Sequence, residues 1–438
     1  FFSRMSVASH GAERDAGHTG NFFNITWSLP GVAQCGPHAT GAWMKEFGAW
    51  YFDLARRWDG TFVHQGPPAM RNDKYGNWDC TGGYLLAYAT GLKKIHLTGK
   101  RKSSVPQLDA SAAQSLINDG RGWSNKDRNS AYDKLSIEQL LARLGSWSPV
   151  VRERASMTLG RRKDDVTARL IRLLDASNLY TRLGACQALK MQRGRGAAAV
   201  SALLKTLDTD DLWLRILAAE ALAGIGDPAR VAIPAMLTRL TKSDPKNDPR
   251  NMEQRFFSFA LFNGRGGLIS KSLKGVDREL LLKAVRAGLL NQDGRARGAY
   301  GSVYRNLSFE EIKPLLPAIH KAIVEPAPSG IMFASGIRLS GIALLAKYRI
   351  KEGMPLCIRI MEIDKWGKKH RITQCLKTLK TYGPAARAVL PQLRQLEKDL
   401  SAHREARMLK GAIEQARALI KDIENATGTV KLRSINDN

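Results

Sequence analysis

From Leu135 onward, apolar positions recur at the three-to-four-residue spacing of amphipathic helices, and the helices come in pairs. The pattern predicts helical pairs within 136–160, 165–191, 197–223 and 230–242, then a break rich in Pro, Asn and Asp at Ser243–Asn251. Less regular helices follow at 252–263, 277–289, 309–324, 336–348, 352–364, 367–381, 384–398 and 402–424. The clearest stop signal is Gly224-Ile-Gly226-Asp-Pro228, a glycine C-cap followed by a proline that cannot continue the helix. Within the first three pairs one pattern returns. Arg152, Ala155 and Leu159, then Arg182, Ala185 and Leu189, then Arg215, Ala218 and Leu222 stand at i, i+3 and i+7. Those positions share one helical face, where the small Ala lets a neighbouring helix come close.

The three Arg residues are 30 and then 33 positions apart. A two-helix period in that range marks an α-solenoid. The run Leu207-Asp-Thr-Asp-Asp-Leu-Trp-Leu-Arg-Ile-Leu-Ala-Ala-Glu-Ala-Leu-Ala-Gly-Ile-Gly226 closely resembles the HEAT-repeat family. The resemblance implies that an Arg at this place bonds the acidic residue or helix end of an adjoining repeat, here Asp175, Asp208 or Asp210. Arg152, Arg182 and Arg215 are therefore read as a structural ladder. A guanidinium with five donors needs acceptors on several sides, and stacked helix ends provide them.

Residues 1–98 have another texture. Five of nine Trp and five of eight His lie there among dense Gly, with helical stretches at about 37–58 and 80–95. The segments Gly17-His18-Thr19-Gly20-Asn21 and Trp78-Asp79-Cys80-Thr81-Gly82-Gly83-Tyr84 resemble the inner-helix openings of α/α-toroid domains, the shape of terpene cyclases, prenyltransferases and several polysaccharide-processing enzymes. Combined with the repeats, they also resemble a family of large bacterial proteins with this domain order and no established reaction. That likeness tilts the expected location toward the extracytoplasmic side. Two hairpins cannot close a six-hairpin toroid, so the rest would lie upstream of Phe1, in a part of the polypeptide missing here. The expected organisation is all-α: toroid-like hairpins over 1–98, a polar linker over 99–133 with a short helical stretch near 109–118, a HEAT-like solenoid over 134–425, and a polar, frayed tail over 426–438.

Charge adds a second theme. The chain carries +28 at pH 7, of which residues 1–98 supply only +2, so the linker and repeats hold +26. Such an excess favours polyanions or acidic proteins as partners. The basic runs Arg161-Arg162-Lys163 and Lys368-Lys369-His370-Arg371 make Arg161, Arg162, Lys163, Lys368, Lys369 and Arg371 the candidate anion-binding residues. Aromatics are sparse among the repeats, which argues against base reading. No run is apolar enough to span a membrane. Five cysteines without a C-x-x-C pair indicate neither a disulfide framework nor a zinc module.

Catalytic signals are few. No P-loop, dinucleotide fingerprint, nucleophile elbow or H-E-x-x-H occurs, and no cofactor is indicated. His18, Asp79 and Tyr84 would suit acid–base chemistry on a sugar if they lined a toroid mouth. Asp79 and Cys80 with His38 are the nearest approach to a metal set, but adjacent residues on a helix point about 100° apart, so joint ligation is awkward. Gly264-Arg-Gly-Gly267 is a lone glycine-rich turn. The first functional expectation is a binding or scaffold module whose basic solenoid engages an anionic protein or polymer. The second is an accessory that completes the cleft of an upstream toroid enzyme acting on polysaccharide, and the third is non-specific nucleic-acid binding.

Overall fold

The computed structural model describes residues 1–8, 21–55, 62, 80–92, 106–120, 131–264, 266–325, 327, 335–365 and 367–437. Among them the protein is all-α, with no strand. The chain forms two compact units, Phe1–Thr158 and Leu159–Asn438.

The first unit contains α1 (Phe2–Ala8), α2 (Asn21–Ala33), α3 (Pro37–Ala55), α4 (Thr81–Thr90), α5 (Ala110–Gly120) and α6 (Ile137–Arg143), and α7 (Pro149–Arg161) runs past its end. Val7, Leu29, Val32, Trp43, Phe47, Tyr84, Ala113, Leu116 and Ile117 form one core. Helix α5, which covers the helical stretch expected near 109–118, thus lends three side chains to that core from within the segment read as a linker. Its preceding strap is pinned where the Leu108 N–H donates to the Cys35 carbonyl at 2.8 Å. Helix α6 starts at a capping box, Ser136 and Gln139 each satisfying the other's backbone N–H.

The second unit continues with α8 (Thr167–Leu174), α9 (Leu179–Gln192), α10 (Val200–Thr206), α11 (Leu212–Ile225), α12 (Ile233–Leu240), α13 (Met252–Phe262) and α14 (Arg278–Gly288). Then come α15 (Gly294–Ala299), α16 (Gly301–Tyr304), α17 (Phe309–Ile312), α18 (Leu316–Val324), α19 (Ser335–Lys347), α20 (Gly353–Arg359), α21 (Lys368–Lys380), α22 (Leu390–Ala402) and α23 (Ala406–Asn425). Helices α9, α11, α13, α15, α19, α21 and α23 stack in series as one row. The remaining long helices pack across that row, α8 on α9, α10 on α11, α12 on α13, α18 on α19 and α22 on α23. This is a solenoid: each pair leaves an apolar face that only the next pair covers.

The repeating pattern is what lets the row stack. Ala155, Leu159, Ala185, Leu189, Ala218 and Leu222 are all at most 1% exposed. Where α9 and α11 approach most closely a glycine is needed, because a Cβ at Gly224 would lie 2.8 Å from the Lys190 carbonyl oxygen. Helix starts are capped by side chains: Asn178 accepts from the Tyr180 N–H, Asp211 from Leu214 and Asp293 from Arg295. Two differences from expectation stand out. Helices α15 and α16 occupy a stretch that the pattern left without structure. And the tail, expected to fray, is held at Arg433, whose backbone pairs with Arg349 and Lys351, and at Ser434, whose Oγ donates to Glu352 at 2.6 Å.

Candidate functional site

The ladder arginines act mainly on turns. Arg152 Nη1 donates to the carbonyls of Ser146 and Trp147 at 2.7 and 3.1 Å, six and five residues back. Arg215 Nη1 does the same to Thr209 and Asp210 at 2.9 and 2.8 Å. An Arg four residues past the N-cap lies one turn above it, so its guanidinium reaches back to the loop that enters the helix. Arg215 also reaches forward to α13, where Nε and Nη2 donate to the Glu253 carboxylate at 2.8 and 3.2 Å. Arg239 Nε donates to the same carboxylate at 2.7 Å. Burial alone would raise Glu253, but these hydrogen bonds overcome it and hold the carboxyl below its ordinary value. Arg182 is the exception: its Nε is buried without an acceptor. Asp175, Asp208 and Asp210 do not receive the ladder as carboxylates. Asp210 offers its backbone carbonyl to Arg215, and Asp208 pairs with Arg239 at 3.5 Å.

The register runs further than three repeats. Arg255, Ser258 and Phe262 continue it, then Arg297, Tyr300 and Tyr304, then Arg338, Gly341 and Leu345. Arg255 pairs with Asp293. Arg297 donates to the carbonyls of Asn291 and Glu325, and Arg338 grips Glu362 with two bonds. A relaxed rule, small at i+3 and large at i+7, would have found the first and the third in the sequence; Tyr300 at i+3 breaks it in the second. A second set of arginines also cross-links turns, with Arg195 donating to Gly160 and Arg162 carbonyls and Arg230 to Leu268 and Lys274.

Part of the basic charge is therefore internal. Arg371, read as an anion contact, is 1% exposed and donates to the carbonyls of Met361 and Glu362 at 3.1 and 2.9 Å. Lys368 is 9% exposed and paired to Glu405. Neither presents its charge to a polymer. Lys369 is exposed beside them on a cavity of about 780 Å³ shared with Asp364, His370, Thr373 and Met408. Arg161 and Lys163 are exposed at the end of α7 and Arg162 is half-buried.

The N-terminal candidates fare differently. His18 and Asp79 lie outside the described residues. Tyr84 is fully buried, its ring stacked on Phe62 at 5.1 Å, and burial pushes its hydroxyl above its ordinary value. It serves the core, not an open mouth. Cys80 is buried at the N-cap of α4 and His38 is exposed on α3. Among the described residues, no group of three His, Cys, Asp or Glu is placed to hold a metal.

An unforeseen site lies along the stacked row, at α13, α15, α16 and α19. A cavity of about 620 Å³ is bounded by Phe259 and Asn263 of the α13 end, Arg295, Gly298 and Ala299 of α15, Ser302, Tyr304 and Arg305 at α16, and Ser340, Ala343 and Lys347 of α19. Arg295, Arg305 and Lys347 are exposed, and none of the described lining residues is acidic. The lining is open because its residues are small. Gly298 faces Gly336 across the helix contact, and a Cβ on Gly301 would lie 2.3 Å from Ser340 Oγ. Beyond Phe259 runs an aromatic strip: Phe256 meets it edge-on at 6.1 Å, Trp213, 49% exposed, meets Phe256 at 5.6 Å, and the Arg255 guanidinium sits 4.7 Å from the Phe256 ring centre. The glycine-rich turn noted in the sequence begins here, since Gly264 lines the cavity.

Comparison with known families finds matches in two places. Residues 137–223 match the HEAT-repeat family. Residues 1–99 match a family described as a domain of unknown function (DUF6288). The middle of the chain is HEAT-like. No curated protein matches the chain. HEAT repeats suggest a protein-binding or scaffold role, and no described helix is long and apolar enough to cross a membrane.

Proposed function

We propose that the repeat unit is a binding scaffold that engages an anionic partner through the basic cavity at α13, α15, α16 and α19. The observation that carries this reading is the sign of that site: three exposed cations border a cavity with no carboxylate among its described lining residues. A desolvated carboxylate in the lining would repel the same ligand that the cations attract, and none is among the described lining residues. Trp213, Phe256 and Phe259 add apolar area beside the charge, which suits a partner with an anionic group next to an apolar or ring surface. Arg161, Lys163 and Lys369 extend the basic surface elsewhere on the chain.

The test uses the whole chain. Fluorescence anisotropy with a labelled heparin oligosaccharide and with a labelled poly-glutamate peptide should show binding that Arg295→Glu, Arg305→Glu and Lys347→Glu together reduce at least ~30-fold. Reversing Lys398 and Lys421, exposed cations of α22 and α23, should change it less than ~3-fold. Equal losses from the two sets would show that net charge alone is responsible and would remove the site from the proposal.

A further inference from the structure

We propose that the cavity and the aromatic strip beside it form one docking surface for an extended acidic peptide, a segment of a partner protein that lays an aliphatic side chain on Trp213 and carboxylates on Arg295, Arg305 and Lys347. The inference rests on the reading of the cavity as anion-binding and names the chemistry of the partner.

The strip grows out of the repeat register. Trp213 stands two residues before the ladder Arg215, in the first turn after the cap at Asp211, and Tyr180 holds the same place before Arg182 one repeat earlier. Both rings are exposed, at 49% and 38%. A single exposed ring is ordinary on a protein surface. Trp213 is not single: Phe256 and then Phe259 continue from it, half-buried, with ring centres stepping 5.6 and 6.1 Å. Phe259 borders the cavity, so apolar strip and basic site are one continuous surface.

Charge is sorted along that surface. Near the strip the arginines are engaged, Arg215 and Arg239 by Glu253 and Arg255 by Asp293. Around the turn that leads to Trp213 the exposed charges are Asp208 and Asp210 against Lys242, which leaves no cationic excess. The exposed cations Arg295, Arg305 and Lys347 gather at the cavity end. A polymer charged evenly along its length matches that end and is not drawn to Trp213. Sugar stacking is restricted too, because the Arg255 guanidinium lies over the Phe256 and Phe259 rings at 4.7 and 5.3 Å and takes one face of each. A peptide can place an apolar side chain at one end and carboxylates at the other. At about 3.3 Å per residue, the steps from Trp213 to Phe259 span three to four residues of extended chain. The carboxylates therefore stand about four residues from the aliphatic anchor. Charge complementarity then sets the register, and the anchor on a Trp supplies the concentrated binding energy.

The test is fluorescence anisotropy of the whole chain with labelled peptides. The anchored peptide has two leucines, a three-residue Gly/Ser spacer and three glutamates, and is made in both chain directions; in the control, glycines replace the leucines. In at least one direction the anchored peptide should bind about tenfold or more tighter than the control, as burial of an aliphatic side chain implies. Trp213→Ala should remove most of that advantage and leave the affinity of the control within about twofold, which also shows that the variant is folded. Leucines that confer no advantage in either direction overturn the proposal. So does an advantage that survives Trp213→Ala. A heparin hexasaccharide weakened by Trp213→Ala as much as the anchored peptide would assign the strip to sugars and overturn it as well. If the control peptide binds while the leucines add nothing, the basic cavity stands and the partner is wrong; if neither peptide nor heparin binds, the reading of the cavity itself is wrong.

Discussion

Replacing Arg215 by Ala removes the most fully engaged member of the ladder. Four hydrogen bonds vanish, two to the carbonyls of Thr209 and Asp210 and two to the Glu253 carboxylate. The side chains of Arg215 and Glu253 are 13% and 17% exposed, so water reaches them only in part. Breaking a buried pair typically costs ~3–5 kcal/mol. Two features reduce that here. Arg239 still donates to Glu253, and the freed carbonyls lie in a turn that water can approach. We therefore expect a loss of about 2–3 kcal/mol, which for a unit of this size lowers the melting temperature by roughly 4–9 °C. Arg182→Ala is the internal comparison. It removes an arginine at the same register position whose Nε has no acceptor, and it should cost under ~1 kcal/mol. Both variants are followed by circular dichroism at helical wavelengths and by calorimetry, since repeat arrays need not melt in one step. Equal shifts for the two would refute the argument, because they would show that the position and not the bonds sets the stability.

Four further outcomes follow from particular contacts. Arg193 has φ 53° and ψ −140° at the end of α9, a conformation that glycine adopts freely and that Gly226 holds at the end of α11, so Arg193→Gly should raise stability by about 1–2 kcal/mol in a melt. Gly288→Ala would place a Cβ 1.7 Å from Tyr300 Oη and break its bond to Ser258; a loss of at least ~2 kcal/mol is expected by denaturant titration. Glu253 has a depressed folded pKa, so its contribution is full above the unfolded carboxylate value near ~4.3 and is lost as pH falls through the folded value; Glu253→Gln should lower stability at neutral pH and flatten the acid limb of a pH–stability curve. In the first unit, Ile117→Ala should cost about 2–4 kcal/mol and increase the accessibility of Trp43 to a fluorescence quencher, because both side chains belong to one core and are 1% exposed.

The sequence made the helix pairs legible because Arg, Ala and Leu recur with nothing to compete against them. It hid α15 and α16 for a physical reason. Gly294-Arg-Ala-Arg-Gly298-Ala-Tyr-Gly301 has low helix propensity, and the glycines that lower it are those that permit close approach to Gly336 and Ser340 of α19. Tertiary contact outweighs propensity there, and the cavity forms because the residues are small. Charge misled in a related way. Net charge cannot distinguish an arginine that bonds turns, such as Arg371, from one that faces solvent, such as Arg305. Spacing could have helped, since Arg338 with Gly341 and Leu345 repeats the ladder once Ala is generalised to any small residue. The core role of Tyr84 was equally obscured: a helix start rich in Gly and Thr reads alike whether its tyrosine opens on a cleft or stacks on Phe62.

The most direct test of the anion-binding face is the salt dependence of heparin binding by the whole chain, with and without its three cations. Each cation that neutralises a fixed anion releases a counterion, and the slope of log affinity against log salt counts them. The wild-type protein should lose affinity steeply between ~50 and ~200 mM salt. The combined variant Arg295→Ala, Arg305→Ala, Lys347→Ala should bind more weakly and with a slope smaller by about 2–3. A wild-type affinity indifferent to salt, or a slope unchanged in the variant, would contradict the account.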